Sequence, residues 1–428
     1  MARAQTFTTG GDVDDVAISL KEHQKTRRLD LSDRDLQAVR SEINDDQTRL
    51  EVIEKRDGSV RLKATEHVGL ISLPDTGTIE IRPKADRTDL LGLLRYAYGV
   101  TASTVEQPTA MPAGRKFIEA LAALYTAELD VALDQGLHRD YRRTSETVSH
   151  LRGRLDVQRQ LQRQGPAPTE FECTFDELTA DTTVNRGVLY ATVLLSRLVR
   201  DRALSQALDR HHQRLRRRVT LTSIRVIDLE SIELTRLASH YTDLFRLTKL
   251  VLRSLYIEEL SAGGRASFAL LVDMNEVFEK VVVRGVREVA ATRKGWSVKG
   301  QASSQSLVTG GKRTFTIRPD VLVLRGDGSP VVVGDAKWKL DDPDSTNREP
   351  STSDVYQLIA YQLAHDVPGA LFYPEQENRV ASQYTVHGLH ELQTVEIPIL
   401  ERPEGAETLP ELIEDAISSA IEPSNEIS

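Results

Sequence analysis

Two valine- and leucine-rich runs in Ile317–Lys339, IRPDVLVLRGDGSPVVVGDAKWK, carry charged residues at their ends. Asp320 opens the first run, Asp335 closes the second, and Lys337 follows two residues later. VLVL and VVVGD are apolar and β-branched, so they read as buried strands, and the GDGSP between them is turn chemistry. An antiparallel hairpin returns the end of its second strand to the start of its first. Asp320 and Asp335 should therefore converge at one end of a sheet, with Lys337 on the same face as Asp335 by strand alternation. Two carboxylates held together repel each other unless a cation lies between them. Oxygen ligands of this kind suit Mg²⁺, which takes one or two carboxylates and keeps several waters. A lysine beside them can orient or activate an attacking water, or neutralise charge that builds on a phosphate. The set is suited to metal-dependent hydrolysis of a phosphodiester.

The elements around this hairpin must hold it. Before it, DMNEVFEKVVVRGV places Met274, Val277, Phe278 and Val281 on one helical stripe. Glu276 and Glu279 flank that stripe at similar angles, so the wheel does not choose between them as an acid facing the site. After it, DVYQLIAYQLA is a second helix, with Gln357 and Tyr361 four apart on one face. Acid helix, Pro-Asp, fourteen residues, Asp-Ala-Lys and a following helix resemble the PD-(D/E)xK nuclease signature.

The fold class expected is α+β and multidomain: a β-rich N-terminal domain, a helical middle, and a C-terminal α/β domain of PD-(D/E)xK type. Residues 1–100 hold a short helix begun by Ser32 in SDRDLQAVRSEI and two hairpins. LEVIEK and SVRLKA flank an RDG turn, and VGLISL and IEIRP flank PDTG. Arg82 and Lys84 end the second hairpin, either as a solvated strand end or as a partner contact. Residues 101–262 read as helical. RKFIEALAALYTAEL stops near Gly136, a helix follows Asp181, and the longest runs from about Ser231 to Leu260. The run from Arg210 to Arg218 falls between helices, where a solvated helix end outweighs a phosphate-facing patch. His211 and His212 within it have no third ligand at metal-binding spacing. SAGGRAS marks the boundary before residues 263–400, DDPDSTNREPSTSD (341–354) reads as a mobile linker, and 401–428 is an acidic tail with a short helix.

Composition narrows the function classes. No run approaches the ~18 apolar residues of a membrane span, and the N-terminus lacks a secretory apolar segment. One cysteine, Cys173, excludes an intrachain disulfide and a Cys-rich zinc site. A cytoplasmic protein with no membrane partner is expected. The net charge of −9 is unevenly spread. Residues 341–428 hold 18 acids against 3 arginines, leaving 46 acids and 52 bases before them, a mildly basic body that permits contact with nucleic acid.

The order and spacing of several stretches are similar to the McrC family, the nuclease subunits of modified-cytosine restriction systems. They are GLISLPDTGTIEIRPKADRTDLLGLLRYAYG, LRGRLD, FDELTADTTVNR, MNEVFEK, IRPDVLVL, GDAKWK and YQLIAY, spread over nearly the whole chain. The resemblance implies a phage-defence DNA endonuclease subunit that cuts double-stranded DNA with Mg²⁺. It also implies a partner, an McrB-like AAA+ GTPase ring that recognises the modified base and is docked and stimulated by the N-terminal part of the chain. Carried over residue by residue, the catalytic set is Asp320, Asp335, Lys337, Glu279 and Gln357, with Asp320, Asp335 and Glu279 as metal ligands. The Phe-Glu pair of MNEVFEK favours Glu279 over Glu276. The chain shows no Walker A loop, as expected of a subunit that does not bind nucleotide itself. Two other readings share the pattern: a non-catalytic activator of an AAA+ ring, and a stand-alone repair nuclease. Residues 1–260, far more chain than a bare nuclease needs, argue against the last. The acidic tail departs from the family pattern.

Overall fold

The computed structural model describes residues 16–44, 47–56, 58–85, 87–100, 113–163, 169–257, 268–300, 305–308, 315–339, 349–375, 383–388, 390–401 and 407–421. By its contacts the chain forms two units: residues 1–100, 110–117 and 256–428 in one, 101–109 and 118–255 in the other.

The first unit opens with β1 (Val16–Lys21), α1 (Asp33–Gln37), β2 (Leu50–Glu54), β3 (Val60–Ala64), β4 (His67–Leu73), β5 (Gly77–Arg82) and α2 (Leu90–Tyr98). Ser32 caps α1, its Oγ accepting from the Asp35 backbone N at 3.1 Å. The second half of the expected helix, Ala38–Ile43, winds as π-helix. Both expected hairpins form, β2 with β3 and β4 with β5. Every residue of β4 is buried, as befits a central strand covered on both faces.

The second unit contains most of α3 (Ala113–Gln135), then β6 (Asp140–Val148), β7 (Arg154–Leu155), α4 (Val157–Arg163), β8 (Phe171–Thr179), α5 (Thr183–Leu198), α6 (Arg202–Arg216), α7 (Ile227–Glu230) and α8 (Thr242–Ser254). Three findings correct the sequence reading. The region is not all helical, because β6, β8 and β7 form a three-stranded antiparallel sheet. β6 reads DYRRTSETV and is largely exposed, so it lacks the apolar alternation that announces a strand. The long helix is broken as well. A 3₁₀ stretch at Arg236–Tyr241, with Ala238 off helical geometry, precedes α8, and the chain leaves the helix at Ser254 for β9 (Leu255–Ile257). Finally, the arginine-rich run lies on α6 and the turn after it, not between helices.

The chain then supplies β10 (Phe268–Asp273), α9 (Met274–Ala291), β11 (Ser297–Gly300), β12 (Gln305–Val308), β13 (Phe315–Ile317), β14 (Val321–Leu324), β15 (Pro330–Ala336), α10 (Thr352–His365), β16 (Gly369–Pro374), β17 (Gln383–Tyr384), β18 (Leu392–Ile397) and α11 (Leu409–Ile421). β10 joins the N-terminal strands in a sheet of order β1-β5-β4-β10-β9, antiparallel to β4 from Phe268↔Ser72 to Asp273↔His67. That pairing joins residues 1–100 and the C-terminal segment in one unit, where the sequence reading drew a boundary at 262/263. The SAGGRAS stretch lies outside the described residues, as do residues 341–348 of the expected linker. Residues 352–354 of that linker belong to α10, whose N-cap Ser351 accepts from the Asp354 backbone N.

A second, six-stranded sheet runs β11-β14-β15-β16-β18-β17. β14 is antiparallel to both of its neighbours, β11 and β15, whereas β15, β16 and β18 are parallel. Helices cover its two faces because the strands alternate. Val286 of α9 meets Val321, Val332 and Ala370 on one face. Leu358 and Tyr361 of α10 pack with Leu322, Val333 and Leu371 on the other. The terminal helix α11 buries Ile413 and Ile417 against Gly285 of α9, where an added Cβ would fall 2.4 Å from Ile417 Cδ1. Among the described residues, no helix is long and apolar enough to cross a membrane.

The β4–β10 pairing depends on Gly69. Its φ is +149°, and a Cβ would lie 1.9 Å from the Leu270 carbonyl oxygen, a backbone atom that cannot turn aside. Gly69→Ala should destabilise the chain by about 3 kcal/mol. Equilibrium denaturant unfolding of the two proteins measures the difference, and equal midpoints would deny that β4 and β10 are tightly apposed.

Candidate active site

The hairpin of β14 and β15 builds the site by register. Val321 lies opposite Gly334, so one further step along the ladder brings Asp320 to Asp335. Both side chains then share the α10 face with Leu322 and Val333, by the period of two. Asp335 is buried within β15, and β16 lies parallel beside it with Leu371 opposite. Asp320 is anchored by its Oδ2, which accepts from the Ala336 backbone N at 2.8 Å.

One cation answers these acids directly. The Lys337 ammonium forms an ion pair with Asp335 Oδ2 and donates to Gln357 Oε1 at 2.9 Å. Gln357 Nε2 donates to the Tyr361 hydroxyl at 2.7 Å, and that hydroxyl donates to the Arg318 carbonyl at 3.2 Å. Lys337 is thus held at both ends, since its backbone N also donates to the Phe372 carbonyl at 2.8 Å. The sequence had placed Gln357 and Tyr361 on one helical face. The structure turns that face toward the hairpin.

Burial drives the electrostatics. It pushes the Asp320 carboxyl up to about 7, with Asp335 and, further down, Glu279 adding to the rise against the Ala336 N–H and Lys337. Burial raises Asp335 too, opposed chiefly by Lys337. The Tyr361 hydroxyl is raised by burial, with both aspartates adding to the effect, so it stays a donor. A strongly raised Asp320 beside Asp335 and a lysine makes this cluster the candidate site.

The structure separates the two glutamates of α9. Glu276 pairs with Lys280 one turn along its own helix. Glu279 is the one whose charge reaches Asp320. It does not complete a ligand cage, however. Among the described residues, no group of three or more His, Cys, Asp or Glu side chains is gathered closely enough to hold a metal ion. The donor set brought together is Asp320 and Asp335, two carboxylates whose burial and mutual repulsion a divalent cation would relieve, and it fits Mg²⁺ with water completing the shell. His211 takes no part: it is buried in the second unit, with Nε2 3.1 Å from Asp130 Oδ1.

Sequence reasoning missed a second layer. Lys339 Nζ donates to both oxygens of buried Asp354 on α10, at 2.6 and 2.8 Å, and the Tyr373 hydroxyl donates to Asp354 Oδ2 at 3.0 Å. The alternation Lys337, Lys339 was the available signal, since both point to the α10 face. Trp338 between them points the other way, and its indole N donates to Glu22 Oε1 at 2.8 Å across 316 residues of sequence. No local pattern announces that contact.

These features define an α+β protein whose mixed sheet carries an acid–acid–lysine site at adjoining strand ends. The chain belongs to the family described as McrBC 5-methylcytosine restriction system component, whose model matches residues 62–374. It is similar in fold to a chain in the refined half-complex from a tetradecameric assembly of Thermococcus gammatolerans McrB AAA+ hexamers with bound McrC. The TM-score is 0.56 at 17% identity, over 94% of this chain and 100% of that one. A match to a chain of the cryo-EM structure of the Thermococcus gammatolerans McrBC complex covers 64% of this chain and 87% of that one, at 22% identity and a TM-score of 0.43. No curated protein matches.

The raised Asp320 acid makes a pH-dependent prediction. In the unfolded chain this carboxyl titrates near its ordinary 3.8, and in the folded protein at about 7. Between those values the unfolded chain has released the proton and the folded one keeps it, so stability falls as pH rises through that window. Asp320→Asn removes the titration and retains an acceptor for Ala336 N. In chelator, the variant should melt above the wild type by a margin that widens from about pH 4 to about pH 7 and then levels. Melting curves across the range check this, and a constant margin would place the raised group elsewhere.

Proposed function

We propose that this chain is a Mg²⁺-dependent DNA endonuclease subunit of a modified-cytosine restriction system, with a PD-(D/E)xK-type C-terminal region, working with an McrB-like AAA+ GTPase ring. The observation that carries the reading is the meeting of half-buried Asp320 and buried Asp335 at adjoining strand ends, with Lys337 spanning from Asp335 to Gln357.

Bound Mg²⁺ would supply Lewis-acid activation of water and of the phosphodiester. The remaining work falls to the chain's own groups. Asp320 and Asp335 present carboxylate oxygens in fixed positions, one of them held by the Ala336 N–H. Lys337 brings a positive charge to the mouth of the site, where it can neutralise a phosphate oxygen or orient an incoming water. Gln357, held by Tyr361, keeps that ammonium from swinging into solvent. Glu279 adds negative charge from the α9 side, strengthening the call on a cation.

The partner reading rests on family membership and on the solved assembly, which holds McrB hexamers with bound McrC. In this chain the corresponding contact is assigned to the N-terminal segment, with Arg82 and Lys84 at the end of β5 as candidate contacts. Recognition of the modified base and GTP hydrolysis would belong to the ring, and cutting of double-stranded DNA to this chain.

Two substitutions separate the roles. Asp335→Asn should lower cleavage of methylated plasmid by at least about a hundred-fold, because a neutral amide is a poor Mg²⁺ ligand. Its melting temperature should not fall, since burial already disfavours the charged form of Asp335 and Gln357 still accepts from Lys337. Lys337→Ala should lose cleavage to a similar extent yet bind Mg²⁺ within about three-fold of the wild type, because an ammonium is not a ligand. Plasmid cleavage with ring and nucleotide present, beside calorimetric Mg²⁺ titration, reads both. Wild-type cutting by the first variant, or equal loss of metal by both, would contradict these assignments.

A further inference from the structure

Glu22 follows β1 directly and is buried, and both of its carboxylate oxygens are engaged. Oε1 accepts from Trp338 Nε1 at 2.8 Å, and Oε2 accepts from the backbone N of Lys84 at 2.8 Å. Burial pushes the group up to about 7, with both hydrogen bonds and the Lys84 charge opposing the rise. Trp338 is buried too, and its ring lies 5.6 Å from that of Phe278, centroid to centroid, at 55°. Phe278 immediately precedes Glu279 on α9.

Trp338 is also the centre of a tight turn, closed by Lys339 N donating to the Lys337 carbonyl at 2.8 Å. Three side chains fan out from that turn. Lys337 goes to Asp335 and Gln357, Lys339 goes to Asp354, and Trp338 goes the opposite way, to Phe278 and Glu22. Where the indole sits therefore determines how the turn is oriented, and the turn determines where the Lys337 ammonium points. A buried carboxylate with two directed donors specifies one orientation, which an apolar contact alone would not.

We propose that Glu22 is a positioning residue for the Asp320–Asp335–Lys337 site, clasping the Trp338 indole to the chain just past β5 and so fixing the turn that aims Lys337. For its catalytic meaning this rests on the nuclease reading. The clasp itself is a statement about side-chain geometry, and it ties the end of β5, where Arg82 and Lys84 stand, to the lysine of the site.

The test uses the full chain. Trp338→Phe removes the indole N–H and keeps a ring against Phe278. Glu22→Gln keeps the shape but offers one acceptor oxygen to two donors. Brief amine labelling read by mass spectrometry reports on Lys337 without metal, DNA or partner. Lys337 should label several-fold faster in each variant, with Lys249 and Lys299 unchanged, and in the double variant no faster than in the faster single one. An unchanged Lys337, a uniform rise at every lysine, or effects that multiply in the double variant would each overturn the clasp. With the ring, nucleotide, Mg²⁺ and methylated plasmid, each variant should cut with kcat about ten-fold lower and KM within about two-fold. Variants that cut like the wild type would overturn the positioning role. A wild-type chain that fails to cut counts against the nuclease reading instead, and the labelling result still decides the clasp.

Discussion

The register of one short hairpin imposes the condition to which the rest of the site responds. Because Val321 stands opposite Gly334, Asp320 is brought to Asp335 in a place walled by β16 and α10. Asp335 is buried and Asp320 half-buried, and repulsion adds to the cost of taking both from water. Asp320 responds by holding its proton to about pH 7. Asp335 responds by taking the Lys337 ammonium. The Ala336 N–H, Gln357 and Tyr361 fix the participants rather than remove the conflict, which a bound divalent cation would relieve.

The other side of the same strand end explains why so much chain surrounds a small site. Lys337 and Lys339 face α10, whereas Trp338 faces α9 and reaches Glu22, in a segment the sequence reading assigned to another domain. The five-stranded sheet makes the connection structural, since β10 leads straight into α9 while pairing with β4. The N-terminal strands thus support the helix that carries Glu279 and the turn that carries Lys337. A change at the end of β5 has a short physical route to the site, two hydrogen bonds through Glu22 and then one peptide unit.

Much of this was legible in the sequence, for local reasons. VLVL and VVVGD read as buried strands and their turn was spelled out, so an antiparallel return already brought Asp320 and Asp335 to one end; the register irregularity between Val323 and Leu324 was not legible. The stripe of Met274, Val277, Phe278 and Val281 is buried as its spacing required. What periodicity could not show was non-local pairing. Nothing in FALLVD says that its partner is HVGLISL some 200 residues earlier, and Glu22 and Trp338 look like unrelated polar and aromatic residues. Between Glu276 and Glu279 the helical wheel was neutral and only resemblance favoured Glu279; the structure adds that Glu276 pairs with Lys280 and that the charge of Glu279 bears on Asp320. β6 escaped notice because an exposed strand of arginines and hydroxyls carries no apolar signal, and the interrupted helix because 3₁₀ and α turns share nearly the same spacing.

The central claim, that the forced meeting of Asp320 and Asp335 makes a cation site, is tested most directly by counting protons on metal binding. Calorimetric titration of the full chain with Mg²⁺ in buffers of different ionisation enthalpy gives that count. Asp320 is protonated below its value of about 7 and must be ionised to serve as a ligand. Binding near pH 6 should therefore release close to one proton per Mg²⁺, falling toward none near pH 8.5, and Asp320→Asn should abolish the release. Binding with no proton exchange at the lower pH, or a release that persists in Asp320→Asn, would contradict the account.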